Sequence, residues 1–370
     1  MRCPEVLIVG SIANFDVALA NALSRSGMNC IVVRSSEVGL PDFDALPVPI
    51  VSLKPEDVIL SEGPRWMYQM AKRSKCIVSF TGILPWMLRE WWLAALLLPF
   101  PPIVNYTTGS DMTELIRERS LAGTIYRSIV RKAFLNVLFP YPEMIKSARR
   151  FRITNVMFVR FPYFLPSPKL SKIEGPITYL HPSHLDWGAS DNRADRNSTK
   201  GNDLFLNAFF RALRAGVDIR CVIVDRGPDR DLAKQMIESS GFGDRFRWLP
   251  ALTQKEFADE MDGCDIIVDQ FDVGGFGGIA IEAMSKSKPV MIYIDSEAAS
   301  LLYKESPPII NCRTEADIFE AIMSNLNREQ LREKGEIARK WVQANHGAEQ
   351  NLNEFVGRIC AAAGIECRRH

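Results

Sequence analysis

Paired cysteines are missing from this sequence. Its eight cysteines (Cys3, Cys30, Cys76, Cys221, Cys264, Cys312, Cys360 and Cys367) are scattered, and no two form a CxxC pair, so metal-ligand spacing is absent. Several lie in apolar runs such as NCIVV and CIVSF, where reduced buried thiols are expected. Charge of one sign is missing too: 45 Lys plus Arg face 44 Asp plus Glu, a net charge of +1. That excludes a dedicated nucleic-acid binder, which carries a general basic excess, but leaves room for a local basic patch. Long hydrophobic runs are absent; the longest, Trp91 to Phe100, is too short to span a bilayer. The start, MRCPEVLIVG, enters a strand at once with no long apolar stretch ahead of it, so no cleaved signal peptide is expected and the cytoplasm is the expected compartment. No short-period repeat or low-complexity tract occurs.

What is present is ordinary globular usage, 47% hydrophobic and 24% charged, which excludes disorder, collagen and coiled coil. A chain of 370 residues predicts about two domains, large enough to bury cores without a disulfide or metal staple. The first half alternates strands and helices. Short continuous apolar runs, as buried parallel strands show, occur at Val6 to Gly10, Cys30 to Val33, Cys76 to Phe80, Ile103 to Tyr106 and Asn136 to Phe139. A helix is predicted over Asp16 to Ser26, with Gly27 at its C-cap. The second half repeats the plan, with strands at Ile177 to Leu180, Ile219 to Asp225, Asp265 to Phe271 and Pro289 to Ile294. A helical stripe of Leu204, Phe205, Ala208, Phe209, Ala212 and Leu213 is stopped by Gly216. The alternation predicts two α/β domains with mainly parallel sheets. The segment Phe161 to Pro176, with four prolines and one glycine, suits a boundary. A helical tail is expected over Glu315 to Ala363.

Three patterns in the second half point to chemistry. The stretch GGFGGIAIEAMSKSKPVMIY (Gly274 to Tyr293) places a glycine-rich loop between a strand and a helix. Glycines allow close backbone approach, and free N–H groups with the helix dipole favour an anion. Glu282, about one turn into that helix, suits a ribose diol and would repel a phosphate set directly on it. Close packing without a ligand explains the same glycines. Arg193, Arg196 and Lys200 precede the helix starting near Asn202; cations beside a helix N-terminus imply a shared anion, since the dipole there disfavours bare positive charge. VDRGPD (Val224 to Asp229) ends a strand at the carboxyl edge, where ligands of open α/β sheets bind.

These patterns together resemble the retaining GT-B glycosyltransferases of the "glycosyl transferases group 1" type (family 4-like). Gly275, Phe276, Gly277, Glu282, Ala283 and Met284 match the family's closing motif, Lys200 and Gly201 its KG pair, and Arg226, Gly227 and Pro228 its glycine turn. The likeness covers most of residues 175–345. In the first half, Gly109 to Asp111 looks like the acceptor-side GxD loop. Gly274 stands where the family has a first glutamate, with Asp272 the candidate substitute. Tyr106, Thr107 and Thr108 replace a frequent histidine, and Arg196 lies four residues before Lys200, an unusual gap.

The resemblance implies α/β architecture with two Rossmann-like domains facing a cleft: an acceptor domain over 1–165, a donor domain over 166–345, and a helical tail over 346–370 free to return to the first. It implies a nucleotide-sugar donor and a glycan or lipid-linked acceptor in surface polysaccharide or glycoconjugate synthesis. Cofactors and metals are not expected, because positive groups neutralise the leaving diphosphate. Lys200 and Arg196 would bind that diphosphate, Glu282 the ribose, and Gly275, Phe276, Gly277, Gly278, Arg226 and Arg193 the remainder of the donor, with Asp111 acting on the acceptor side. Nucleotide-sugar epimerisation and non-catalytic nucleotide-sugar binding are the alternatives.

Two further features remain. His181, His184 and Asp186, in HPSHLDWG, fit a polar structural role or a substrate contact better than a metal site. Trp86, Trp91 and Trp92 precede a stretch, 117–160, with ten basic residues opposed only by Glu118 and Glu143. That pairing suits peripheral contact with an anionic membrane, at the inner face of the cell membrane; a packed core with a solvated basic helix face is the alternative.

Overall fold

The computed structural model describes residues 4–10, 15–34, 40–41, 52–80, 101–107, 109–160, 174–190, 199–252 and 254–366. The chain divides into two compact units. One comprises residues 1–139, 144–164 and 348–370; the other comprises 140–143 and 165–347.

The first unit is built on seven parallel strands: β1 (Val6–Val9), β2 (Cys30–Arg34), β3 (Val58–Leu60), β4 (Cys76–Phe80), β5 (Ile103–Tyr106), β6 (Leu135–Leu138) and β7 (Val156–Phe158). Their order is β3-β2-β1-β4-β5-β6-β7. The second unit has six: β8 (Ile177–His181), β9 (Ile219–Val224), β10 (Phe246–Leu249), β11 (Ile266–Val268), β12 (Val290–Ile292) and β13 (Ile310–Asn311), in the order β10-β9-β8-β11-β12-β13. In each sheet the first strand lies inside, and the winding reverses there. Ligands of such folds bind outside the carboxyl ends of the strands at that reversal, between β1 and β4 and between β8 and β11.

The interior strands are the continuous apolar runs of the sequence. β1 is exposed by no more than 1% at any residue, because a parallel sheet is covered on both faces. In the second unit the helix Asn202–Arg214 lays Phe205, Ala208, Phe209, Ala212 and Leu213 against the sheet. Phe205 and Phe209 meet Tyr179 of β8 at ring distances of 6.1 and 5.5 Å. Each fully buried aromatic side chain contributes about 2–3 kcal/mol, and the stripe fixes the helix so that its N-terminus lies beside the end of β8. Gly216, with φ of +82°, ends the run as expected.

The expected tail over Glu315 to Ala363 is three helices. Glu315–Ser324 is capped by Thr314, and Arg328–His346 by Asn327, whose Oδ1 accepts from the N–H groups of Glu329 and Gln330. Ala348–Ala363 groups with the first unit. The six described cysteines are all buried and free.

Candidate donor site

The glycine-rich loop runs from the end of β11 to the helix Gly278–Ser285. Its glycines are pressed by protein groups. A Cβ on Gly275 would lie 2.1 Å from Cδ1 of Tyr141, and one on Gly277 would lie 2.9 Å from Oδ2 of Asp269. Gly274 has φ of +73°, and a Cβ there would meet Tyr293, Pro142 and Asp295 at 3.1–3.4 Å. A side chain at that position would therefore be strained and crowded in this loop. Phe276 anchors the loop in an aromatic cluster, with Trp341, His346 and Tyr303 at ring distances of 5.7, 5.8 and 6.0 Å. Beyond it the first N–H groups of the helix have no intrahelical acceptor; that of Ala280 bonds the Asp269 carboxylate, and those before it are suited to an anion. Glu282 is half-buried, while Ala280, Ile281, Ala283 and Met284 around it are fully buried.

Lys200 is held next to this loop. Its backbone N–H donates to the Asp186 carbonyl at 2.6 Å, and its carbonyl accepts from the N–H of Phe271 at 2.8 Å. Its ammonium donates to Oε1 of Gln270. Gly201, left-handed at φ +66°, then starts the helix Asn202–Arg214. Asp272, the candidate substitute for the missing glutamate, accepts from Oγ1 of Thr199 at 2.6 Å. A Cβ on Gly201 would lie 3.0 Å from its carboxylate. Asp269, at the end of β11, accepts from Oγ of Ser183 at 2.6 Å. Burial raises its pKa above the ordinary carboxylate range, opposed by the Lys200 charge and the Ser183 bond.

The turn after β9 completes the edge. Arg226 is exposed, and its carbonyl accepts from the N–H of Leu185 at 2.9 Å. Asp229 accepts from the backbone N–H groups of Trp187, Ala189 and Ser190 at 2.7, 3.4 and 2.7 Å, and from the Ser190 hydroxyl. Burial alone would raise the Asp229 pKa, but these bonds hold it below the ordinary value. His181 is buried, its Nε2 3.2 Å from Nδ2 of Asn202, and burial pushes its pKa down to about 4. It is therefore a neutral packing residue. Among the described residues no group of three or more His, Cys, Asp or Glu is placed to hold a metal ion.

Residues 194–341 match the family described as Glycosyl transferases group 1. These residues carry a group 1 glycosyltransferase domain. The fold of the chain is GT-B, as in the solved structures it resembles. Anabaena HepE in complex with UDP and glucose is 12% identical at a TM-score of 0.67, the match covering 96% of this chain and 98% of that one. Sucrose-phosphate synthase from Thermosynechococcus elongatus is 14% identical at 0.63, covering 95% and 97%. S. aureus TarM, in a complex with UDP, is 13% identical at 0.61; the match covers 80% of this chain and 58% of that longer one. No curated protein matches in sequence.

Within the second unit, Lys200, Arg226, Gly275, Phe276, Gly277 and Gly278 lie on loops or at a helix start at the carboxyl edge of the sheet, and Glu282 lies about one turn into that helix. Arg193 and Arg196 lie outside the described residues. Sequence reasoning missed Asp269, Gln270 and Tyr141, which carry no motif signal of their own. His184 lies beside the cations Arg226 and Lys200. Partial burial, then the charges of Arg226 and Lys200, hold its pKa below the ordinary histidine value. A bound diphosphate would reverse that push, so binding takes up a proton. Nucleoside diphosphate affinity should fall as pH rises through the range in which the bound-state imidazole loses its proton, and His184→Asn should flatten that slope. Calorimetry showing the same slope in both proteins would remove His184 from the site.

In the first unit Asp111 opens the helix Ser110–Thr113 beyond β5. It is 3% exposed. Oδ1 accepts from the N–H groups of Gly109 and Met112, both at 3.0 Å, and Oδ2 accepts from the Tyr126 hydroxyl at 2.9 Å. These bonds set the shape of the GSD loop.

Proposed function

We propose that the glycosyltransferase moves a sugar from a nucleoside diphosphate donor to a glycan or lipid-linked acceptor, with retention of configuration, in surface polysaccharide or glycoconjugate synthesis. The observation that carries this reading is the convergence of Lys200, Arg226 and His184 on the strand ends where the group 1 domain starts two helices. Lys200 and Arg226, joined by Arg196 and Arg193, neutralise the departing diphosphate. The loop Gly275–Gly278 and the helix after it receive a phosphate, and Glu282 receives the ribose hydroxyls. With retention, the acceptor oxygen bonds to the anomeric carbon on the face from which the phosphate oxygen leaves. That phosphate oxygen takes the acceptor's proton. Asp111 shapes the acceptor loop. No metal is required, because fixed cations perform the task that metal ions perform elsewhere. UDP is the first nucleotide to test, since HepE and TarM were solved with it.

Binding tests this reading. A thermal-shift and calorimetric screen over UDP, GDP, ADP, CDP and dTDP should find one that binds. Glu282→Gln should weaken it by about 1–3 kcal/mol through loss of charge-assisted bonds to the ribose. Unchanged affinity would remove Glu282 from the ribose role.

The same reading places the acceptor at an anionic membrane surface. Arg131, Lys132, Arg149, Arg150 and Arg152 are exposed at the ends of the helices Leu121–Lys132 and Pro142–Arg150 and in the turn after the second, and Lys146 is exposed midway along the second. Arg131 reaches the Phe151 carbonyl at 3.4 Å, tying the two helix ends together. Among the described residues no helix is long and apolar enough to cross a membrane; Trp86, Trp91 and Trp92 lie outside those residues. Each cation near an anionic surface contributes about 1 kcal/mol. Binding to anionic vesicles should exceed binding to neutral ones and weaken with salt. Flotation without that preference would defeat the membrane reading and favour a soluble acceptor.

A further inference from the structure

The loop that resembles a ligand-binding turn is held by two side chains outside its motif. Oε1 of Gln270 accepts from the Lys200 ammonium, while its Nε2 donates to the Gly275 carbonyl at 2.7 Å. The Tyr141 hydroxyl donates to the next carbonyl, that of Phe276. The Tyr141 ring fills the space a side chain at position 275 would need. Tyr141 belongs to residues 140–143, which cluster with the second unit, and Gln270 is 1% exposed.

A trans peptide is planar, so its N–H points away from its C=O. No cis peptide occurs in the described chain. Anchoring the carbonyls of Gly275 and Phe276 therefore fixes the directions of the next two N–H groups, those of Phe276 and Gly277. One amide, Gln270, thus sets the position of a cation and of a peptide donor together. We infer that Gln270 and Tyr141 are positioning residues of the donor site, which preset Lys200 and the N–H groups of Phe276 and Gly277 for an anion. The glycine at 275 then serves the Tyr141 ring rather than close approach by the ligand. Preset donors act without reorganisation when charge develops, and a displacement of about 1 Å in such a site costs roughly a hundredfold in rate. The inference rests on the reading of this edge as the diphosphate site.

The experiment uses the full chain, with UDP and inorganic pyrophosphate as probes by calorimetry, and melting curves alongside. Gln270→Leu and Lys200→Ala should each weaken probe binding roughly tenfold, and the double variant should be little worse than either alone, because residues acting as one unit are not additive. Gly275→Ala should lower the melting temperature and probe affinity by clashing with the tyrosine ring. Adding Tyr141→Ala should relieve that clash, so that Gly275→Ala costs little in the double variant. Tyr141→Phe, which keeps the ring, should lower affinity without restoring tolerance at 275. Full additivity of Gln270→Leu with Lys200→Ala would overturn the role of Gln270. A Gly275→Ala penalty that is the same with and without Tyr141 would overturn the role of Tyr141, and the melting arm of that comparison needs no ligand. Lys200→Ala binding both probes as tightly as the unsubstituted chain would sink the diphosphate reading itself, a result distinct from either of these.

Discussion

Lys200→Ala should lower turnover by about a hundredfold or more, a loss of about 3 kcal/mol of transition-state stabilisation. The lysine lies at the N-terminus of the helix Asn202–Arg214, where the dipole opposes a cation that has no anion to share. It is held there by its own backbone bonds to Asp186 and Phe271, which an alanine keeps. Its half-buried side chain donates to Gln270, a neutral acceptor, and its charge also acts on the buried Asp269. The substitution should therefore spare the fold, with a melting temperature within about two degrees of the starting protein. The kcat, rather than the KM alone, should fall, because the charge on the departing diphosphate grows in the transition state. Steady-state kinetics with near-normal turnover would take the lysine out of the mechanism.

Gly227→Ala should destabilise the second unit strongly. Gly227 has φ of +128°, and a Cβ there would lie 2.4 Å from the Leu185 carbonyl oxygen and 2.5 Å from its nitrogen. Both contacts are backbone, so no side chain can turn aside. The strained conformation alone costs about 1–3 kcal/mol for a residue with a side chain, and the overlap adds a similar amount. A total of about 3 kcal/mol or more corresponds to a fall in melting temperature of roughly 6–12 °C. The function should suffer too. Leu185 is stitched to this turn by the Leu185 N–H to Arg226 carbonyl bond at 2.9 Å and the Asp229 N–H to Leu185 carbonyl bond at 3.0 Å. Pushing the two segments apart displaces Arg226 and His184 together. A variant that melts within about a degree of the starting protein would contradict the close approach.

How much of this was legible beforehand follows the burial of each strand. β1, β2, β4, β5, β6, β8, β9, β11 and β12 lie inside their sheets and read as mainly apolar runs, with single polar residues such as Asn136 in β6 and Arg220 in β9. The four strands without such a signal, β3, β7, β10 and β13, are the edges of the two sheets. They are short, and exposure on one side admits residues such as Arg247 in β10 and Asn311 in β13. The site divides in the same way. Lys200, Glu282 and the glycine-rich loop stand in contiguous stretches and were visible through their resemblance to a family. Tyr141 acts on Phe276 across 135 residues of sequence, and no local pattern marks it. Asp269 reads as part of an apolar strand, DIIVDQF, yet it accepts the Ser183 hydroxyl 86 residues away. The glycines were legible as glycines, but the groups that press on Gly275 and Gly277 come from Tyr141 and Asp269, which only the fold brings near.

In the proposed reaction the second unit holds a nucleotide sugar for transfer rather than for storage or isomerisation. The most direct test is to incubate the full chain with UDP-, GDP-, ADP- and dTDP-sugars, with and without lipid-linked sugar acceptors, and to measure free nucleoside diphosphate and lengthened acceptor. One donor should yield nucleoside diphosphate and glycosylated product in equal amounts, only when acceptor is present and with retained anomeric configuration, and Lys200→Ala should lose both. Epimerised sugar formed without acceptor, or tight donor binding with no product from any acceptor, would contradict that reaction.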